Sequence, residues 1–68
     1  MLKLYSTDCD RCKRIESLLK EKNISFEKIM DFDHNFFIEK GFDTVPILEI
    51  NDNTYLNFTE AKNYIRSR

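Results

Sequence analysis

The sequence predicts an α/β domain, one four-stranded mixed sheet with three helices in the order βαβαββα. Three observations predict it. Short runs of apolar, β-branched and aromatic residues recur at positions 2–5, 24–30, 47–50 and 54–56, the composition of a pleated, half-buried surface. Between and after them, apolar residues fall at helical rather than alternating spacing. Residues that cap or turn the chain, among them Asn23, Asp33, Gly41 and Asn57, punctuate the boundaries.

The elements follow in order. Leu2-Lys3-Leu4-Tyr5 alternates and is bounded by Ser6, Thr7 and Asp8, which suits a strand followed by a turn into a helix. From Cys12 onward, Cys12, Ile15, Leu18 and Leu19 form an i, i+3, i+4 stripe, with Lys13, Arg14, Glu16, Lys20 and Glu21 outward. This helix should close near Lys22-Asn23, since Asn tolerates a left-handed C-terminal cap. Ile24 to Met30 reads as the second strand. Asp33 can cap a short helix carrying Phe36, Phe37 and Ile38, which Lys40 and Gly41 would close. Ile47-Leu48-Glu49-Ile50 and Thr54-Tyr55-Leu56 flank Asn51-Asp52-Asn53, a strand, tight turn and strand. Asn57 with Glu60 makes a capping box, and Phe58, Ala61 and Ile65 form the inner face of the last helix. A strand, helix and strand imply a right-handed crossover and a parallel pair; the terminal hairpin adds an antiparallel one. Helices then cover both faces.

Sixty-eight residues make a single domain, 1–68, of a size that buries only about 60% of its unfolded surface. The aromatic residues Tyr5, Phe32, Phe36, Phe37, Phe42, Tyr55, Phe58 and Tyr64 are therefore expected to be mostly core, because a small domain needs large side chains to gain burial. Tyr55 or Phe58 is the candidate for a rim contact to substrate. A formal charge of −1 argues against nucleic-acid binding, which draws its affinity from neutralised phosphates. No apolar run approaches the ~20 residues that span a bilayer, so no membrane partner is expected. Two cysteines are too few for a disulfide-stapled secreted scaffold, and the N-terminal run resembles no leader. A cytoplasmic location is the expectation.

Those two cysteines form Cys9-Asp10-Arg11-Cys12, at the point where the first strand turns into a helix. Positions three apart on one helical turn share a side and can be bridged without moving the backbone. Closing so short a loop contributes only about 2 kcal/mol on the chain-entropy formula. The pair is a poor staple and a good switch. Only a thiolate attacks a disulfide, so the pKa of Cys9 matters. At a helix N-terminus its sulfur can accept from unpaired N–H groups, and Arg11, Lys13 and Arg14 add positive charge; Asp8 and Asp10 oppose them. The expectation is a modestly lowered pKa for Cys9, with Cys12 deeper and shielded. Half of a zinc site and a pair of inert thiols are the alternatives. His34, the one histidine, has no companion ligands and reads as solvated; no metal is expected.

Cys9-x-x-Cys12 after the first strand, with Thr44-Val45-Pro46 opening the third, resembles the glutaredoxin branch of the thioredoxin fold over nearly the whole chain. Each half alone also occurs elsewhere; their combination in this element order is specific. The resemblance implies a thioredoxin fold and a dithiol thiol–disulfide oxidoreductase, active in electron transport and cell redox homeostasis. Cys9 and Cys12 would be its catalytic residues. It implies that the bond before Pro46 is cis, whereas the frequency of X-Pro bonds alone favours trans. Thr44, Val45 and Pro46 would meet the bound thiol substrate, Val45 through its backbone. Asn57, Phe58 and Thr59, at the start of the last helix, stand where the family meets glutathione, and Arg11 joins this substrate-binding set from between the cysteines.

The chain departs from glutathione-dependent members at defined positions. Asp10-Arg11 replaces Pro-Tyr, Ser6 replaces a lysine, and Asn57-Phe58 replaces Gly-Gly. Weak use of glutathione is the expectation, although Thr59 and Glu60 still mark a helix N-terminus whose N–H groups could take a carboxylate. Redoxins that serve ribonucleotide reductase are comparably small, and Phe58 matches one residue of their signature. The resemblance thus implies a monomer with no tightly bound cofactor. Its substrates would be protein disulfides or glutathione mixed disulfides, with glutathione or thioredoxin reductase as electron donor. The readings from other classes are a metal-binding module made by two copies and a non-catalytic interaction module.

Overall fold

The computed structural model describes residues 2–51 and 54–68. Its elements are β1 (Leu2–Tyr5), α1 (Asp10–Glu21), β2 (Phe26–Ile29), α2 (His34–Glu39), β3 (Ile47–Asn51), β4 (Thr54–Leu56) and α3 (Phe58–Arg66). They form an α/β domain with one four-stranded mixed sheet of order β2-β1-β3-β4. Strands β1 and β2 are parallel, with Leu2 opposite Phe26 and Tyr5 opposite Ile29. β3 runs antiparallel to β1, Leu48 facing Leu4, and antiparallel to β4, with a register shift between Glu49 and Asn51.

Local chemistry accounts for most boundaries. Helix α1 ends in a Schellman motif: Asn23 adopts φ +55, its N–H bonds Lys20 O, and the Ile24 N–H reaches back to Leu19 O at 2.9 Å. That last bond also corrects the expected second strand. Ile24 is held by the helix end, and β1 offers only four residues to pair with, so β2 is confined to Phe26–Ile29. Helix α2 closes the same way around Gly41 at φ +94, with Phe42 N–H on Phe37 O at 2.8 Å. Asp33 caps its start by accepting from Asn35 N–H, 3.0 Å. Asn51 lies in β3 opposite Thr54 rather than in the turn; Asp52 and Asn53, the centre of the expected turn, lie outside the described residues.

The two faces of the sheet are packed by different chemistry. On one, Leu2, Leu4 and Leu48 meet Ile15 and Leu19 of α1 and Ala61 and Ile65 of α3, an aliphatic core with Phe58 and Tyr64 at its margin. On the other, α2 lays Phe37 against Tyr5 and Tyr55, with ring centroids at 4.7 and 5.4 Å, while Phe32 and Phe36 pack edge-on to Phe37. Strand alternation makes this division, since Leu2 and Leu4 point one way and Lys3 and Tyr5 the other. The aromatic residues are therefore not mostly core, as their spacing had suggested. Phe37 alone of them is buried; Phe36 is 44% exposed. A six-residue helix is too short to roof the second face, so its rings stay half open. Within that face Tyr5 OH donates to the nearly buried Glu49 Oε1 at 2.7 Å. Among the described residues no helix is long and apolar enough to cross a membrane.

Candidate active site

The turn between β1 and α1 is built by three residues. Ser6 is fully buried, tied to β2 by its N–H on Ile29 O at 3.0 Å. Its Oγ accepts from Asp8 N–H at 3.1 Å. Asp8 turns the chain at φ +61, a left-handed conformation that Asp tolerates better than most residues. Cys9 follows as the N-cap of α1 in extended conformation. Cys12 N–H donates to its Sγ at 3.2 Å, so a sulfur fills the role a serine or aspartate oxygen usually takes. Both cysteines are free thiols. Cys9 is partly exposed and Cys12 is fully buried in the next turn, against the core.

The loop before β3 comes to the same place. Val45–Pro46 is a cis peptide bond, the isomer that the resemblance implies and that X-Pro frequency alone disfavours. Pro46 is fully buried, and the Cys9 thiol donates to Val45 O at a long 4.0 Å. Residues far apart in sequence thus converge on one sulfur.

The electrostatics correct the sequence-based expectation for Cys9. Burial pushes its thiol above the ordinary value, and the side-chain hydrogen bond with Cys12 acts in the same direction; together they outweigh the backbone N–H groups of Cys12 and Arg11. Burial also opposes ionisation of Cys12. There, however, it is overcome by hydrogen bonding with the Cys9 side chain, the Thr7 backbone and the Ser6 hydroxyl, and Cys12 falls below its ordinary value. The two sulfurs titrate as one interacting pair, with Cys9 the member that a substrate can reach. The opposing effect expected from Asp8 is also blunted. Lys28 Nζ bonds its carboxylate, holding it below the usual aspartate range, and reaches Glu16 at 3.3 Å.

The remaining predicted residues fall into two groups. Thr44 and Val45, with Thr7, line an open cleft of about 310 Å³ on the α2 side of the cysteines. Arg11 lies instead over the Phe58 ring, its guanidinium carbon 5.4 Å from the centroid, and Lys62 Nζ stands 4.6 Å from the same ring. The first turns of α1 and α3 are joined by this contact. At the expected carboxylate site the capping box takes two of the N–H groups: Glu60 N–H donates to Asn57 Oδ1 at 2.8 Å, and Asn57 N–H to Glu60 Oε1 at 3.0 Å. The chain's own carboxylate already sits at that terminus, leaving Thr59 exposed beside it. His34 is exposed, with its ring 4.6 Å from that of Phe32. Among the described residues no group of three or more His, Cys, Asp or Glu is arranged to hold a metal.

Ser6 is the residue that sequence reasoning passed over. Its only signal in the sequence is its place, three residues before the first cysteine, where the family has a lysine. Chemically, the arrangement offers one reachable thiol, one buried partner thiol in the adjacent turn, and a backbone carbonyl beside them. Comparisons of the chain with protein families, curated proteins and solved structures return no match.

Proposed function

We propose that the protein is a dithiol thiol–disulfide oxidoreductase of glutaredoxin type on a thioredoxin fold, reducing protein or glutathione mixed disulfides in a reducing, cytoplasmic compartment. One observation carries the reading: partly exposed Cys9 caps α1 above buried Cys12, with the Val45 carbonyl beside its sulfur. The order β2-β1-β3-β4, with α1 and α3 on one face and α2 on the other, supports it.

The cycle follows from exposure. As a substrate disulfide approaches, Cys9 gives its proton to solvent and the thiolate attacks one substrate sulfur. A Cys9–substrate disulfide forms, the substrate S–S bond breaks, and the departing thiolate takes up a proton from solvent. Cys12 then gives up its own proton to solvent, attacks the Cys9 sulfur and expels the second substrate thiolate, which takes a proton from solvent. Two electrons have moved from the pair to the substrate, and a Cys9–Cys12 disulfide remains. A low-molecular-weight thiol or a flavoprotein disulfide reductase must return them. The Glu60 carboxylate in the α3 capping box supports weak use of glutathione, because it occupies the terminus where a second carboxylate would bind.

Cys9→Ser and Cys12→Ser proteins test the assignment by mass spectrometry after exposure to a mixed disulfide. Cys9→Ser should lose turnover; Cys12→Ser should accumulate a covalent adduct at Cys9. Equal trapping by both variants would refute the roles. Comparing reduction of the oxidised protein by glutathione with its reductase and by thioredoxin reductase with NADPH identifies the donor, and fast saturable turnover with glutathione would overturn its weak use.

A further inference from the structure

Resting on that reading, we infer that the cleft on the α2 side of Cys9 selects protein substrates: it takes an extended cysteine-containing segment with a bulky apolar residue next to its cysteine and a Lys or Arg beyond. The cleft measures about 310 Å³ and is lined by Phe37, Ile38, Phe42, Asp43, Val45 and Ile47 among others. Phe37 and Ile47, 4% and 1% exposed, make its floor, while Ile38 at 54% stands at the rim. That size lies at the lower end of the ~300–1,000 Å³ of ligand pockets, room for one large side chain rather than a cofactor.

Continuity with the sulfur fixes the occupant. Val45 belongs both to the cleft wall and to the contact with Cys9 Sγ. A substrate cysteine bonded to Cys9 therefore begins where the cleft begins, and an extended chain advances about 3.3 Å per residue, which brings the neighbouring side chain over the apolar floor. Charge sets the second preference. Among the described residues, Asp43 and His34 are the ionisable members of the lining and no Lys or Arg contributes to it; exposed Asp31 and Asp33 precede α2. A cationic side chain is favoured there, and the carboxylates of glutathione are not.

The test uses single-turnover stopped flow with the reduced protein and cysteine peptides carried as mixed disulfides with 2-nitro-5-thiobenzoate. Attack by Cys9 on the peptide sulfur releases the chromophore, and Cys12 then releases the peptide thiol, so one dithiol consumes one substrate. Peptides with Phe then Lys after the cysteine are compared with Gly-Gly, Phe-Glu and glutathione counterparts, and with hydroxyethyl disulfide as a substrate lacking any flank. Phe-Lys should react at least about tenfold faster than Gly-Gly, and Asp43→Lys should invert the preference between Phe-Lys and Phe-Glu. Equal rates across peptides, or preference for glutathione, while hydroxyethyl disulfide is reduced, would overturn the docking inference and leave the dithiol reading standing. Failure to reduce any of them removes both.

Discussion

Replacing Ser6 by Ala removes one buried hydroxyl that serves two partners. It accepts from Asp8 N–H in the turn and bonds Cys12, helping to pull the inner thiol below its ordinary value. The first contact is a neutral hydrogen bond, worth about 1 kcal/mol of stability, or roughly 4–8 °C in Tm for a domain this small. The second acts on an anion. Removing it takes away one of the donors that lower Cys12, so the pair should ionise at higher pH and resolution by Cys12 should slow. Thiolate absorbance near 240 nm, followed against pH in reduced wild-type and Ser6→Ala proteins, reads the first ionisation of the pair, and stopped flow reads resolution. A variant that is less stable but keeps the same first ionisation and resolution rate would refute the role of Ser6 in lowering Cys12 and leave it a structural residue only.

Three further outcomes follow from the geometry. Tyr5 is raised above its ordinary value by burial and then by its hydrogen bond to Glu49; the unfolded chain ionises first, near pH 10, so the stability contributed by neutral Tyr5 is present below that pH and lost above it. Tyr5→Phe should lower neutral-pH stability by about 1–3 kcal/mol, leaving Glu49 short of a partner, and should shallow the alkaline decline in a urea-melt series; an unchanged decline would refute the assignment. Gly41→Ala should cost about 1–2 kcal/mol through its left-handed backbone alone, because an added Cβ meets nothing within 4 Å, and Gly41→Asn should cost less; a larger loss with Asn than with Ala in denaturant melts would contradict this. Asn57→Ala should cost about 1 kcal/mol by opening the capping box, and a thermal melt indistinguishable from wild type would show that α3 is held by Ala61 and Ile65 alone.

Elements whose signals are local were legible in the chain. Asn23, Asp33, Gly41 and the Asn57–Glu60 box stand where the structure uses them, because caps act on backbone groups a few residues away. Strand β2 is shorter than its composition suggests because its extent depends on a partner strand and on a helix end, neither visible in that composition. The aromatic residues are more exposed than their spacing suggests for a similar reason: spacing shows that a residue has an inner face, not how much roof a six-residue helix supplies.

The site divides the same way. From sequence alone come the two thiols three residues apart, the helix whose start they occupy, and the proline that opens β3, since each is a matter of residue type and short spacing. The direction in which each thiol is pushed was decided by tertiary structure. Burial acts against Cys9, while Ser6 and Thr7 gather on Cys12. Lys28 crosses from β2 to take the Asp8 charge, and Val45 arrives from the far side of α2. Thiol ionisation depends on desolvation and on donors within a few ångströms, and only the folded chain determines those distances.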